Sequence, residues 1–130
     1  MLEHLASTLR EQCGLNQDKP IIAGVSGGPD SLCLMNVLRA AGYRVVVAHF
    51  NHKLRPDSDA DANTVEQAAG RLNLKWVIEN GDVRAFADAE KLSVEEAARI
   101  LRYRFLMKQA RRYNAQAVAV GHTADDQVET

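Results

Sequence analysis

The sequence is poor in several residue types, and each shortage excludes a class of protein. It holds only two cysteines, Cys13 and Cys33, with no CxxC and no nearby histidine at metal-ligand spacing. Neither a disulfide scaffold nor a zinc ribbon fits that pattern, and both thiols are expected to be reduced core residues. Three prolines and eight glycines are too few for a collagen-like or low-complexity chain, while 46% hydrophobic and 25% charged residues are ordinary globular usage. No apolar run approaches the ~20 residues that span a bilayer, and the N-terminus lacks a basic flank before a long hydrophobic region. No membrane partner and a cytoplasmic location are therefore expected. An excess of one charge is also missing: 16 Lys and Arg against 17 Asp and Glu leave a net charge of −1. Bulk charge thus does not announce a nucleic-acid partner, which would have to be met locally. Repeats and heptads are absent too, so 130 residues read as one domain with one core.

What is present is an alternation of helical and strand patterns. Leu2, Leu5, Leu9 and Cys13 recur at helical spacing. Residues 20–25 are a short unbroken apolar run, as a strand covered on both faces requires. Residues 30–41 read as a helix that is apolar nearly all round and ends at Gly42. Residues 44–48 are a second strand, and 51–59, with Leu54 as its one apolar residue, an exposed loop. Ser58 followed by Asp61 predicts a helix start, with Val65, Ala69 and Leu72 on one face. Residues 75–78 are a third strand. Ser93 and Glu96 form a capping box for a long helix to about Tyr113, and 117–120 are a fourth strand. Parallel neighbours need long crossovers, so this alternation predicts an α/β fold: an open, mostly parallel sheet with helices on both faces. Ligands of such sheets bind beyond the carboxyl ends of the strands, which directs attention to the loops after Val25, Ala48, Val77 and Val120.

The first of these loops, Ser26-Gly27-Gly28-Pro29-Asp30-Ser31, leads from a strand into a helix. Unpaired amides and the positive end of the helix dipole make such a turn an anion site, and glycine admits a phosphate close to the backbone. It is not a Walker A loop, because Asp30 stands where the lysine would be. A carboxylate beside phosphates needs a cation between them, which makes Asp30 a candidate Mg²⁺ ligand. The bland alternative is a tight turn with Asp30 as a helix cap. Gly24-Val25-Ser26-Gly27-Gly28 also satisfies GxSxG, the elbow of serine hydrolases, with His122 and Asp125 or Asp126 available. Asp and His would have to come from separate loops to form a relay, and here they share one turn.

In the second loop, His49-Phe50-Asn51-His52-Lys53-Leu54-Arg55, two histidines at i and i+3 have no third metal ligand nearby. An imidazole, an amide and two cations suit a base, ribose or phosphate better, while a solvated loop with His49 ending the strand is the simpler reading. The last loop, Gly121 to Thr130, places Thr123 to cap a helix with an acidic first turn and aims His122 at the crevice of the first loop. Between them, the long helix carries Arg99, Arg102, Arg104, Lys108, Arg111 and Arg112, of which one or two could reach a phosphate.

With these residues in view, Ser26 to Ser31 resembles the pyrophosphate-binding loop of the N-type ATP pyrophosphatases, the PP-loop superfamily. The loop His49 to Arg55 with Pro56-Asp57-Ser58-Asp59, the run Ser93 to Arg99, Arg102-Tyr103 and Gly121 to Thr130 narrow the match. Together they are similar to the N-terminal domain of the tRNA(Ile)-lysidine synthetase family, from about Ile21 onward. The related thiolases share GHxxDD but generally use cysteine pairs, which this sequence lacks. The resemblance implies ATP and Mg²⁺ as cofactors, L-lysine and a CAU-anticodon tRNA(Ile) as partners, and ligation of lysine to C2 of the wobble cytidine through an adenylate. By motif, Ser26, Gly27, Gly28, Pro29, Asp30 and Ser31 would hold the nucleotide, and Asp30 and Asp126 the metal or the lysine ammonium. Arg102 and His122 would stabilise the transferring phosphate, with His52 and Arg55 facing nucleotide or tRNA. The family continues beyond the position of Thr130 into tRNA-binding domains. Residues 1–130 are accordingly expected to be an ATP-binding N-terminal domain cut one turn into a helix, inactive in complete ligation alone. Other expectations consistent with the residues are a non-catalytic nucleotide-binding module and a homodimer.

Overall fold

A computed structural model describes residues 18–121 and 126–129, without the side chains of 29, 30, 121 and 126–129. The elements are β1 (Pro20–Gly24), α1 (Pro29–Ala40), β2 (Arg44–Asn51), α2 (Ser58–Arg71), β3 (Lys75–Asn80), α3 (Val83–Glu90), α4 (Val94–Arg112), β4 (Ala117–Gly121) and β5 (Asp126–Glu129). They form one sheet in the order β3-β2-β1-β4-β5, parallel through its first four strands and antiparallel between β4 and β5.

Side-chain alternation along the strands divides the core between two faces. Ile21, Ala23, Val45, Val47, Ala117 and Ala119 point to one, under Leu34, Met35 and Leu38 of α1 and Val65 and Ala69 of α2. Ile22, Val46, Ala48 and Val118 point to the other, under Phe105 and Leu106 of α4. Both faces are covered, as expected for a buried parallel sheet. At the rim of the second face, Val83 and Ala87 of α3 pack on Ala97 of α4.

Several local expectations need correction. Cys33 is exposed on α1 rather than in the core, because the buried stripe runs through Leu34, Met35, Val37 and Leu38; Cys13 and the first helical pattern lie outside the described residues. β2 continues to Asn51, three residues past the expected end. His49 and Asn51 are buried there because each finds a polar partner: Val25 O at 2.7 Å for the imidazole and Asp59 Oδ1 at 2.9 Å for the amide. Ser58 is the first residue of α2 and not its cap. It is buried and accepts from the Arg55 amide at 3.3 Å, while Asp57 occupies the cap position without a side-chain cap. The segment 51–59 is therefore anchored by buried Asn51 and Ser58, with Lys53, Arg55, Pro56, Asp57 and Asp59 exposed.

The sequence pattern also missed α3. It is the shortest of the described helices, yet Asp82 caps it by accepting from the Ala85 amide at 3.0 Å, and Val83, Phe86 and Ala87 form a small apolar face. The capping role of Ser93 is as expected, its Oγ accepting from the Glu96 amide at 3.1 Å. After β4, residues 126–129 are a strand on the open β4 edge instead of the first turn of a helix, and Thr123 lies outside the described residues. Over four residues, an edge that offers ready backbone partners outcompetes a helix whose first hydrogen bond requires three residues to be fixed beforehand.

Candidate functional site

α1 carries the chain from β1 to β2 on one side, while β4 lies against the other side of β1. That reversal opens a crevice at the carboxyl ends of the strands. A cavity of about 450 Å³ occupies it, walled by residues 24–28 after β1, 48–52 at the end of β2, Arg55, Ser58 and Asp61, and Ala98, Arg102 and Leu106 of α4.

The glycine loop forms its floor. Ser31, one turn into α1, is buried; its Oγ accepts the Ser26 amide at 3.1 Å and donates to Gly28 O at 3.1 Å. A hydroxyl has one hydrogen, so the 3.1 Å contact between the two serine oxygens is donated by Ser26, whose Oγ in turn accepts from the Gly28 amide at 3.4 Å. Ser31 thus braces the turn from behind. Gly27 sits at φ +96° with the backbone of Asp61 pressed against it: a Cβ there would lie 3.2 Å from Asp61 O. Gly28 takes the cap position of α1 without a side-chain cap, and Pro29, which has no amide hydrogen, opens the helix. The first amides of α1 have no partner inside the helix, the arrangement that binds anions at helix starts.

Two histidines enter the cavity from β2 and the loop after it. The His49 Nδ1 donates to Val25 O, since a carbonyl only accepts. His52 does the reverse: its Nδ1 accepts from the Leu54 amide at 3.0 Å, which leaves its hydrogen on Nε2. Its pKa is held below the ordinary 6.5, chiefly by burial, then by the charges of Arg55 and His49; Asp61 opposes this and Arg102 adds a smaller push downward. The Arg55 guanidinium is steered by Asp61 at 3.2 Å and lies 3.6 Å from Asp57. Asp59 accepts from both Asn51 and Lys53, and these hydrogen bonds hold its carboxyl below the usual value.

Of the residues singled out in the sequence, Ser26, Gly27, Gly28, His52, Arg55 and Arg102 line one cavity. Pro29 and Asp30 are placed as the first two residues of α1, and Asp126 pairs with Gly121 in the β4–β5 ladder. His122 lies outside the described residues. Asp61 was read only as part of a helix start; its spacing of six from Arg55 gives no local signal, and its role emerges only when α2 docks on the glycine loop. The Ser26 hydroxyl is engaged by Ser31 Oγ and the Gly28 amide, and the histidine of the serine-nucleophile reading, His122, lies outside the described residues.

Together, fold and site define a doubly wound α/β domain that takes an anionic ligand of nucleotide size at a strand-to-helix glycine loop. The family model of the PP-loop domain matches residues 1–130. The chain belongs to that family of ATP-binding domains. A tRNA(Ile)-lysidine synthase of Dehalococcoides mccartyi is 38% identical over the whole chain, and one of Thermus thermophilus is 41% identical over 85% of it. The chain spans 29% and 22% of the lengths of these two relatives. Among solved structures, the U34-tRNA thiolase NcsA of Methanococcus maripaludis superposes with a TM-score of 0.76 at 14% identity, covering 93% of this chain and 44% of the thiolase. NMN synthetase of Francisella tularensis superposes with a TM-score of 0.68 at 20% identity, covering 90% of this chain and 51% of the synthetase. At these identities the two structures speak for the fold alone. Among the described residues, no helix is long and apolar enough to cross a membrane.

Proposed function

We propose that these residues are the ATP-binding part of a tRNA(Ile)-lysidine synthetase, with tRNA docking left to the remainder of a longer protein. The observation that carries this reading is the single cavity that combines the glycine loop with His52, Arg55 and Arg102, in a chain whose relatives carry that name. The C2 oxygen of the wobble cytidine attacks the α-phosphorus of ATP, and the bond to the bridging oxygen breaks to release pyrophosphate. The lysine ε-amine then attacks C2, loses a proton, and AMP departs with the former C2 oxygen.

The amides at the glycine loop hold the leaving pyrophosphate, with Ser31 keeping the loop in shape. Arg102, at the cavity lip, and His122 neutralise charge as it grows on the transferred phosphate. Arg55, steered by Asp61, faces nucleotide or tRNA. Among the described residues, no three His, Cys, Asp or Glu side chains gather to hold a metal. Mg²⁺ keeps its waters and needs only one or two carboxylates plus phosphate oxygens. Asp30 and Asp126 would supply the carboxylates, and the ion would screen the phosphates from attack-resisting negative charge.

The test is Mg²⁺-dependent ATP–pyrophosphate exchange by the full-length protein with its CAU-anticodon tRNA. Asp30→Asn is expected to lower exchange by about a hundredfold or more with the fold intact by circular dichroism. Exchange at the wild-type rate would overturn the assignment.

A further inference from the structure

β3 forms one lateral edge of the sheet, and no other described strand pairs with its outer side. Main-chain hydrogen-bonding direction alternates along a strand. The Gly81 amide continues the β2–β3 ladder by donating to Asn51 O at 3.0 Å, so the main-chain groups of Lys75, Val77 and Glu79 also face β2, and those of Trp76, Ile78 and Asn80 point outward. A row of unpaired donors and acceptors is a template for another strand unless proline or a bulge spoils it. Residues 75–80 contain no proline, and their partners in β2 follow one another without a bulge.

The side chains of β3 divide by face. Lys75, Val77 and Glu79 lie toward α4: the Lys75 ammonium is 5.4 Å from the Tyr113 ring centre, Val77 packs on the cluster of Phe105 and Leu106, and Glu79 meets Lys108 at 3.3 Å. Trp76 and Ile78 alternate onto the opposite face. There Trp76 is 41% exposed, beside Gly70, Asn73 and Leu74 around the end of α2. An indole this open at a sheet edge is a large apolar surface that a further strand would cover.

We propose that a second copy of this chain covers the edge, β3 pairing antiparallel with β3 across a twofold axis perpendicular to the sheet. Such an axis keeps each face of the sheet on its own side, so odd-numbered residues oppose odd ones and even oppose even. Centring the pair on Val77 sets Lys75 of each copy against Glu79 of the other, and Trp76 against Ile78. Trp76 and Ile78 then exchange their outward main-chain hydrogen bonds. Lys75 and Glu79 form a non-hydrogen-bonded pair, the kind in which cross-strand side chains come closest. Centring on Ile78 would set Glu79 against Val77 and Trp76 against Asn80, and centring on Trp76 would set Lys75 against Val77. Charge complementarity thus selects one register, and symmetry makes the opposite-charge contact twice. The partner that fits this edge is the chain itself, and the seam is short enough to give a weak, concentration-dependent dimer.

Sedimentation equilibrium of the full-length protein from about 1 to 100 μM tests it. The wild type is expected to pass from monomer to dimer over that range. Lys75→Glu opposes glutamate to glutamate and Glu79→Lys opposes lysine to lysine, at both contacts, so each variant alone should dimerise about tenfold more weakly or worse. Mixed in equal amounts, the two variants meet with opposite charges at both contacts and are expected to form a heterodimer about as tight as the wild-type dimer. Circular dichroism of each variant, matched to the wild type, establishes that weakening is not unfolding. A wild type that stays monomeric at the highest concentration overturns the proposal and leaves the edge open or covered by the remainder of the longer protein. A dimer that neither substitution weakens overturns it by placing the contact elsewhere, and two weakened variants that fail to recover on mixing overturn the register and its pairing.

Discussion

Replacing Gly27 with alanine, against Gly28 with alanine as control, isolates what the glycine loop requires of its backbone. Gly27 has φ +96°, a region that L side chains enter only with strain, and its added Cβ would meet Asp61 O at 3.2 Å and Asp61 Cβ at 3.3 Å. The obstacle is the first turn of α2, so relief would mean moving a helix rather than rotating a side chain. Strain of this kind costs about 1–3 kcal/mol, and the tight contact adds to it. Gly28 has φ −78° and ψ 165°, which any residue adopts, and its Cβ would meet only Ser26 Oγ at 3.7 Å. As a cap residue, where glycine is preferred to alanine, its replacement should cost about 0.5–1 kcal/mol. Urea unfolding of the two variants measures the difference directly, and ATP binding reports whether α2 has been pushed off the loop. Gly27→Ala should lose about 1 kcal/mol or more relative to Gly28→Ala and bind ATP at least tenfold more weakly. Equal midpoints for the two would refute the account of the loop as a backbone held by α2.

Two further expectations follow from polar groups withdrawn wholly or partly from water. Gln109 of α4 is buried, and its Oε1 has no hydrogen-bond partner among the described residues. Gln109→Met, of similar shape, should therefore raise stability by about 1 kcal/mol in urea unfolding, and a loss of that size would show that the amide is satisfied. For His52 the folded pKa lies below the ordinary 6.5, so the unfolded chain binds more protons as the pH falls. Its stabilising contribution is complete above pH 6.5 and is lost as the pH drops through the folded value. The stability difference between wild type and His52→Gln should accordingly shrink from pH 7.5 to 5, and a constant difference would contradict the lowered pKa of the half-buried imidazole.

The layered α/β architecture was legible in the sequence because it rests on short-range regularities. Apolar runs at 20–25, 44–48 and 117–120 are short, bounded and rich in Val, Ile and Ala, as strands buried on both faces are, and Ser93 with Glu96 announces α4 within four residues. The glycine loop was legible for the same reason: a strand, two glycines, an acid and two hydroxyls are local features with a local electrostatic meaning. Tertiary structure alone decided which groups of the second loop serve the site. The sequence pattern placed His49 and Asn51 in or beside an exposed segment, but pairing with β3 carried β2 onward and buried them, and polar partners from β1 and α2 made that burial tolerable. Asp61 acquired its place against Gly27 and Arg55 only through the docking of α2. The tautomers of His49 and His52 likewise depend on which backbone group each ring meets. The physical reason is range: periodicity and capping act over three or four residues, whereas hydrogen-bond partners of buried side chains are assigned by packing between elements far apart in the chain.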